Sequence, residues 1–249
     1  MEYEYLAGVY DHLMEDVDYT TWVDFIEKFI PKKGNPQESK ILELACGTGN
    51  ITIPLGQRGY DITAVDRSIE MLSQAQQKSM ELNLKQEFFQ QDMLNLELER
   101  DYDGILCLCD GVNYILDPKD LERFFRKVYS LLKKEGIFIF DISSFYKLKE
   151  ILGDNTYGED LGNITYLWEN QFNEKLEIVE MDLTFFELNK EGFYEKHKEF
   201  HVQKAHRRDI LESLLLSIGF SKVDMYHELT GWPARDDSQR IFFVCEKLE

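Results

Sequence analysis

Short apolar runs and helical patterns alternate along the first part of this chain. The apolar runs have the length of strands and lie at 40–45, 61–65, 86–90, 102–108 and 137–141. Segments with helical spacing of apolar residues lie between them, at 51–58, 68–82 and 118–132. Strands that alternate with helices in this way predict a parallel sheet with helices on both of its faces.

Start and stop signals support the predicted helices. Ser68 can cap the second of them, and Asp117 followed by Pro118 is a favourable start for the third. Glycine commonly ends a helix. Gly59 and Gly136 are therefore the predicted stops of the first and third helices.

The chain before the first strand is predicted to form two short helices between residues 3 and 30. Apolar side chains recur at helical spacing in both: Leu6, Val9, Tyr10 and Leu13 in the first, and Trp22, Phe25, Ile26 and Phe29 in the second. The stretch 31–36, which contains two prolines and a glycine, then ends the helical region.

The pattern changes after residue 141. A short helix at 147–152 and a loop at 153–162 lead into three strand-like segments, near 163–171, 175–188 and 193–204. The middle segment alternates apolar and polar residues, as a half-exposed antiparallel strand does. A helix at 207–218, ended by Gly219, and strands at 220–227 and 240–247 are predicted to return to the main sheet.

These elements predict a single α/β domain over residues 1–249. Its core, 37–142 and 205–249, is predicted to be a Rossmann-like, seven-stranded, mostly parallel sheet with helices on both faces. Residues 1–36 form a helical cap in this prediction. Residues 153–204 form a small antiparallel insert, either a substrate lid or a dimer interface.

The charge of the chain bears on its partners. Net charge is -19, from 28 basic and 47 acidic residues. Nucleic-acid affinity depends largely on Lys and Arg contacts with phosphates, so nucleic acid is not expected as a partner. A local basic patch would still allow it, and the candidates for such a patch are Lys147, Lys149, Arg207 and Arg208.

The cysteines and the apolar windows indicate a cytoplasmic protein. Three of the four cysteines (Cys46, Cys107, Cys109 and Cys245) lie in or beside apolar runs, where cysteine behaves as a small hydrophobic residue. We expect reduced thiols and no metal site. No window has the apolar length of a membrane span, and the Glu-rich N-terminus does not resemble a signal peptide.

The segment from Lys40 to Asn50 carries the strongest functional signal. An apolar strand containing Glu43 breaks into a small-residue turn, 45–49, before a helix. Bare backbone and free N–H groups at such a junction can bind a nucleotide-like ligand. A dinucleotide fingerprint needs a third glycine, but Asn50 or Thr52 stands at that position, so the spacing excludes NAD.

The same segment, Glu43-Leu-Ala-Cys-Gly47-Thr-Gly49, resembles the first motif of class I S-adenosylmethionine-dependent methyltransferases, with Ala45 where many members have glycine. The resemblance spans roughly residues 3–141 and continues in outline to the C-terminus. It is greatest to bacterial small-molecule methyltransferases with an insert after the fifth strand, many of unassigned substrate. It implies S-adenosyl-L-methionine as the cofactor, methyl transfer as the activity, and N-terminal helices that cover the cofactor.

Two later motifs strengthen this resemblance. Asp66, at the end of the second strand, can accept both ribose hydroxyls, and the resemblance implies that Met71 packs on the adenine. It also implies that Asp92 binds the adenine amino group and that the Met93 backbone binds a ring nitrogen. The structural alternatives are a helix cap with a core methionine for the first motif, and a turn-capping aspartate for the second.

A fourth motif, 107–114, follows the fourth strand and would place Cys109 and Asp110 near the sulfonium and the acceptor. Asp110 could instead hydrogen-bond its own loop backbone. The resemblance also allows Tyr10 to contact the methionine end of the cofactor, although core packing explains Tyr10 equally well. The predicted cofactor-binding residues are Tyr10, Glu43, Ala45, Cys46, Gly47, Asn50, Asp66, Arg67, Met71, Asp92, Met93 and Cys109.

Methyl transfer from a sulfonium requires positioning more than it requires acid–base groups. A general base is needed only if the nucleophile carries a proton, and the candidates are Asp110, His197, His201, His227 and a lid tyrosine. His197 and His201 share a strand face with Glu195 and Glu199, which we interpret as a solvated face rather than a metal site. No catalytic residue is assigned beyond Asp110 as a candidate.

The acceptor is expected to be a small molecule. Its pocket could be built by the insert and the loop 231–238, with Tyr166, Trp168, Phe186 and Trp232 as candidate wall residues. These aromatic side chains could equally pack the insert against the main sheet or form a homodimer contact. The rival hypotheses are an RNA (tRNA) or protein methyltransferase and a non-catalytic cofactor-binding protein.

Overall fold

The computed structural model describes residues 6–31, 34–99 and 101–248. Two short helices, α1 (Leu6–Leu13) and α2 (Tyr19–Ile26), precede the sheet. The predicted start of the first helix, at residues 3–5, lies outside the described residues. Asp18 caps α2, because its carboxylate accepts the backbone N–H groups of Thr20 and Thr21.

The remaining elements follow in chain order. The first group comprises β1 (Lys40–Leu44), α3 (Thr52–Gln57), β2 (Asp61–Asp66), α4 (Ile69–Glu81), β3 (Glu87–Gln90), β4 (Tyr102–Cys107), α5 (Pro118–Leu131) and β5 (Leu132–Ser143). The second comprises β6 (Thr156–Asp160), β7 (Ile164–Asn173), β8 (Ile178–Leu188), β9 (Tyr194–Lys204), α6 (Arg208–Ile218), β10 (Lys222–His227) and β11 (Arg240–Glu246). No helix among the described residues is long and apolar enough to cross a bilayer.

The main sheet has seven strands in the order β10-β11-β5-β4-β1-β2-β3. β1 to β5 pair in parallel, whereas β11 is antiparallel to both β5 and β10. The predicted fold class is confirmed. In this order β1 lies between β2 and β4. The chain continues from β1 toward one edge of the sheet, through β2, and from β4 toward the other edge, through β5. A crevice therefore opens between β1 and β4 at the carboxyl ends of the strands.

The two faces of the sheet are both covered. Neighbouring residues of β11 illustrate this, because Phe243 packs in the cluster beneath α5 and α6 while Phe242 packs in the cluster beneath α2 and α3. Strands buried on both faces contain nearly continuous apolar residues. This explains why the apolar runs of the sequence marked these strands so clearly.

One predicted loop is wrong. Segment 153–162 contains strand β6, which pairs with β7 from Thr156 opposite Glu169 to Asp160 opposite Thr165. Every residue of β6 is exposed, so no apolar alternation marks it in the sequence. Strands β6 to β9 form a separate four-stranded antiparallel sheet, with one strand more than predicted.

Gly136 also has a different role from the one predicted. Helix α5 ends at Leu131, and Gly136 lies inside β5, where the pairing with β4 shifts its register. A Cβ atom at Gly136 would lie 2.8 Å from the carbonyl oxygen of Lys133. The glycine therefore permits an irregularity of the strand and does not end the helix.

Candidate active site

A cavity lies at the carboxyl ends of β1, β2 and β4, where the order of the strands opens the crevice. The structure brings all the predicted cofactor-binding residues together on its wall: Tyr10, Glu43, Ala45, Cys46, Gly47, Asn50, Asp66, Arg67, Met71, Asp92, Met93 and Cys109. The wall also contains residues that we did not predict, among them Tyr19, Thr48, Leu94 and Tyr114. Tyr114 lies within the fourth motif, so the sequence offered a signal for it.

Asp66 connects this cavity with the turn after β1. Its carboxylate accepts the backbone N–H of Gly47 and that of Ser68, each at 2.8 Å. Burial raises the pKa of Asp66 despite these hydrogen bonds. Each carboxylate oxygen can accept a further hydrogen bond, so Asp66 both fixes the turn and presents acceptors to a ligand.

Glu43 lies beneath the same turn and is buried. Its carboxyl accepts the hydroxyl of Thr52, and burial raises the pKa of Glu43 to about 8. Thr52 occupies one of the positions where a dinucleotide fingerprint would require glycine. The structure gives this departure a reason, because the threonine hydroxyl satisfies a buried carboxyl group.

Helix α1 is fixed onto the turn by Asp11. One oxygen of Asp11 accepts the Thr48 hydroxyl at 2.6 Å and the Asn50 amide at 3.1 Å, and the other accepts the Lys78 ammonium at 2.7 Å. These hydrogen bonds outweigh partial burial and lower the pKa of Asp11. The N-terminal helices therefore close one side of the cavity and place Tyr10 on its wall.

For Asp92 and Met71, the structural and ligand-binding interpretations are compatible. Asp92 caps the short 3₁₀ turn Met93–Asn95 by accepting the Leu94 N–H at 2.9 Å. Met71 is buried on α4, which Ser68 caps. Both residues nevertheless line the cavity.

A second cavity, of about 540 Å³, adjoins the first. The two share Tyr10, Cys109 and Tyr114 on their walls. Most of its other wall comes from helices α1 and α2, from strands β7, β8 and β9, from the end of β5 and the start of β11, and from the short helix Lys147–Leu152. Most of its lining is apolar or aromatic, and its polar members include Asp110, Ser143, Lys147, His201, Gln203 and Arg240.

Two of the four predicted wall aromatics face this second cavity. Tyr166 and Trp168 line it. Phe186 is not on its wall and lies beneath the ammonium of Lys196, 5.6 Å from the ring centre. Trp232 is exposed in the loop after β10. Trp22 and Phe185 line the cavity instead. The sequence marked Trp22 only as an apolar position of a helix.

Asp110 is held by charged and polar neighbours rather than by its own loop. Its carboxylate accepts from Arg240 at 2.9 Å and from the Gln203 amide at 2.7 Å. Burial opposes its ionisation, but Arg240 and Lys147 outweigh burial and lower the pKa of Asp110. An ionised and paired carboxylate is a weak general base, so this geometry does not favour Asp110 in that role.

Glu199 and His201 are buried, which corrects the interpretation of their strand face as solvated. Glu199 Oε2 lies 3.1 Å from His201 Nε2, and His201 Nδ1 lies 3.4 Å from the hydroxyl of Tyr114. The strand runs inward at this point, so alternation alone could not distinguish the buried end of β9 from its exposed start, where Glu195 lies.

The other two candidate histidines lie elsewhere. His197 is half-buried on β9, and His227 contacts Ser238 at 2.9 Å and Arg235 at 3.3 Å. Neither lines the two cavities described above. Within the described residues, no three His, Cys, Asp or Glu side chains form a group that could hold a metal.

The arrangement matches a known family. A family model described as a methyltransferase domain matches residues 41–136. A candidate methyltransferase of Geobacillus sp. (strain WCH70) is 34% identical over 247 residues, which cover 99% of this chain and 100% of that relative. The chain belongs to the class I S-adenosylmethionine-dependent methyltransferases.

Solved structures and more distant relatives agree with this assignment. The crystal structure of an S-adenosylmethionine-dependent methyltransferase from Clostridium acetobutylicum ATCC 824 has a TM-score of 0.86 and 36% identity, with 98% of each chain covered. A glycine/sarcosine N-methyltransferase of Halorhodospira halochloris is 26% identical over 98% of this chain and 89% of its own. The predicted enzyme class and cofactor are confirmed.

Proposed function

We propose that this methyltransferase transfers the methyl group of S-adenosylmethionine to a small molecule held in the 540 Å³ cavity. The supporting observation is that this cavity meets the cofactor cavity at Tyr10, Cys109 and Tyr114. Transfer requires nucleophile and methyl carbon to be held at close distance away from water. A protein that only stored the cofactor would need no second cavity.

The lining of the first cavity fits the cofactor. The Asp66 carboxylate offers acceptors for the ribose hydroxyls, and Met71 and Asp92, which line the same cavity, would contact the adenine. Above Gly47 the space is open, because a Cβ there would meet nothing within 4 Å, so a ligand can approach the backbone. When bound, the cofactor supplies a methyl carbon that its positive sulfur has already activated. The protein's own task is to position the acceptor.

A path for a proton leads away from the shared wall. The Tyr114 hydroxyl can donate to His201 Nδ1, while the opposite ring nitrogen faces Glu199. An acceptor that carries a proton could release it to the Tyr114 oxygen as that hydroxyl protonates His201. Tyr114→Phe keeps the ring on the wall of both cavities and removes only the hydroxyl, so we expect it to lower kcat for an identified acceptor more than it weakens cofactor binding. An unchanged kcat would exclude this path.

The basic residues that could favour an RNA acceptor do not form a free basic surface. Lys149 pairs with Glu174 at 3.0 Å, Arg207 with Glu177 at 2.6 Å and Arg208 with Asp236 at 2.6 Å. Lys147 lines the second cavity. This pairing supports a small-molecule acceptor over RNA.

The first experiment is calorimetry with S-adenosylmethionine and S-adenosylhomocysteine. We expect both to bind the wild-type protein, and Asp66→Ala to weaken binding strongly. Asp61→Ala, at the exposed start of the same strand, is the matched control and should bind normally. Equal affinity of the two variants would contradict the assignment of Asp66 to the cofactor site.

The second experiment identifies the acceptor class. S-adenosylmethionine with a labelled methyl group is incubated with the enzyme and separate pools of metabolites, tRNA and protein. We expect label in the metabolite pool only. Label that enters tRNA or protein, with none in metabolites, would overturn the proposal of a small-molecule acceptor while leaving the cofactor assignment intact.

A further inference from the structure

Lys147 lies half-buried on the wall of the second cavity, and no carboxylate in the described part of the chain contacts its ammonium. Its ammonium contacts the Ser143 hydroxyl at 3.4 Å, and no Asp or Glu oxygen of the described residues lies within the 4.0 Å of an ion pair. Burial and the neighbouring Arg240 lower the pKa of Lys147 against the opposing influence of Asp110, Asp141 and Glu228, whose carboxylates act from beyond ion-pair distance. An ammonium group that is removed from water without a direct counter-ion is unfavourable.

The other cation of this cavity is already neutralised. Arg240 contacts Asp110 at 2.9 Å and also pairs with Asp141, and its guanidinium lies 5.3 Å from the ring centre of Trp22. The chain has 47 acidic residues against 28 basic ones, so a carboxylate for Lys147 would be easy to supply. The lack of a carboxylate in contact with Lys147 is therefore consistent with a counter-ion that a bound ligand supplies.

The rest of the cavity indicates the chemistry of that ligand. Trp168 and Phe185 are among its aromatic wall residues, and such side chains favour an apolar or aromatic body. Asp110 faces the same cavity as an ionised carboxylate, and it would repel a second negative charge. A single negative charge, as on a carboxylate, therefore suits the site better than a phosphate dianion.

The structure assigns Lys147 as the anchor for a carboxylate group on a methyl acceptor with an apolar or aromatic body. This assignment rests on the proposed function, because it takes the second cavity as the acceptor site. The carboxylate would supply the counter-ion that Lys147 lacks, and the apolar body would occupy the aromatic wall between the helical cap and strands β7 to β9. Lys147 is thus a residue that determines acceptor specificity.

The test compares two probes of nearly equal shape, 3-phenylpropanoate and 3-phenylpropanamide, by calorimetry on the full chain with and without saturating S-adenosylhomocysteine. We expect the carboxylate to bind about tenfold more tightly than the amide, because a charge-assisted contact replaces a neutral one. Lys147→Met should abolish this preference and leave the affinity for the amide unchanged. Lys149→Met, which removes a nearby lysine already paired with Glu174, should keep the preference.

Each alternative outcome overturns the assignment. Equal binding of the two probes to the wild-type protein, no binding of either, or a preference that survives Lys147→Met would each exclude Lys147 as the anchor. Tighter binding of phenyl phosphate would assign the site to a dianion instead. The affinity for S-adenosylhomocysteine, measured first, reports separately on the proposed function and on the folding of the variant.

Discussion

The turn after β1 depends on backbone conformations that few side chains tolerate. Ala45, Gly47 and Gly49 have φ values of +53°, +54° and +80°. Left-handed conformations cost a residue with a Cβ roughly 1–2 kcal/mol. Alanine at position 45 is therefore a strained residue on the cavity wall, rather than a neutral replacement for the glycine of many family members.

Gly49 is predicted to be more sensitive to substitution than Gly47. A Cβ at Gly49 would lie 3.1 Å from the Cβ of Ala75 on α4, whereas one at Gly47 would meet nothing within 4 Å. Both Gly→Ala variants carry backbone strain, but only Gly49→Ala adds a steric contact. We expect it to lose about 1 kcal/mol more stability than Gly47→Ala in urea denaturation. Equal losses of stability in the two variants would show that backbone strain alone causes the destabilisation.

Glu43 should make stability depend on pH. Burial raises its pKa from the ordinary 4.5 to about 8, so the folded state retains a proton that the unfolded state releases between these values. Stability then decreases as pH rises through this window, by about 1.4 kcal/mol per pH unit from this group. Below 4.5 both states are protonated, and above 8 both are ionised, so the dependence vanishes at both ends.

Glu43→Gln tests this prediction, because glutamine retains an acceptor for Thr52 but does not ionise. The unfolding free energy of the variant relative to the wild type should increase from pH 5 to pH 8 and remain constant above that range. Denaturation at several pH values in the absence of cofactor measures this difference. A difference that does not change with pH would mean that Glu43 is ionised in the folded protein.

At the scale of elements, Arg240 joins the ends of three strands. It lies at the start of β11 and pairs with Asp141 in β5 and with Asp110 just after β4. Asp141 is fully buried, and its pKa is raised by burial in spite of Arg240. Removal of one partner from a buried pair is strongly destabilising.

Arg240→Met should therefore lower the unfolding free energy by about 3–5 kcal/mol. Arg235→Met is the matched control, because Arg235 and its partner Asp237 are both exposed and such pairs contribute about 0–1 kcal/mol. Adding Asp141→Asn to Arg240→Met should restore part of the loss, since asparagine needs no counter-ion. If the double variant is no more stable than Arg240→Met, the cost does not arise from the charge of Asp141.

The elements differ in how far the sequence predicted them. Strands β1, β2 and β4 were predicted closely, because almost all of their residues are buried and each strand therefore appears as a local apolar run. Strand β6 was missed because all of its residues are exposed and its pairing with β7 is what forms it. The inward end of β9 was likewise misjudged, since the burial of Glu199 and His201 depends on the segments that pack against it.

At the scale of the whole molecule, charge separates the possible acceptors. The chain carries a net charge of -19, and the basic residues outside the cavity that we considered are each paired with an acidic residue. We expect a labelled tRNA pool to bind more weakly than about 100 µM at 0.15 M salt, measured by fluorescence anisotropy. Micromolar binding with a steep salt dependence would restore RNA as an acceptor.

The sequence by itself determined the donor side of this methyltransferase. The turn motif follows β1, Asp66 ends β2, and Asp92 lies just after β3, so each is encoded in a short segment next to its own strand. Parallel strands necessarily bring their carboxyl ends together. The part of the first cavity that the sheet provides therefore followed from local patterns and the topology of that sheet, whereas the N-terminal helices add Tyr10 and Tyr19 to its wall.

Only the tertiary structure decided the acceptor side. The cavity proposed for the acceptor is built from the N-terminal helices, the second sheet and the start of β11, which are far apart in the chain and have no shared pattern. Lys147, Arg240 and His201 acquire their environments only when these segments pack together. Burial and pairing of charges are properties of that packing, and for this reason the sequence could identify the methyl donor but not the chemistry of what receives the methyl group.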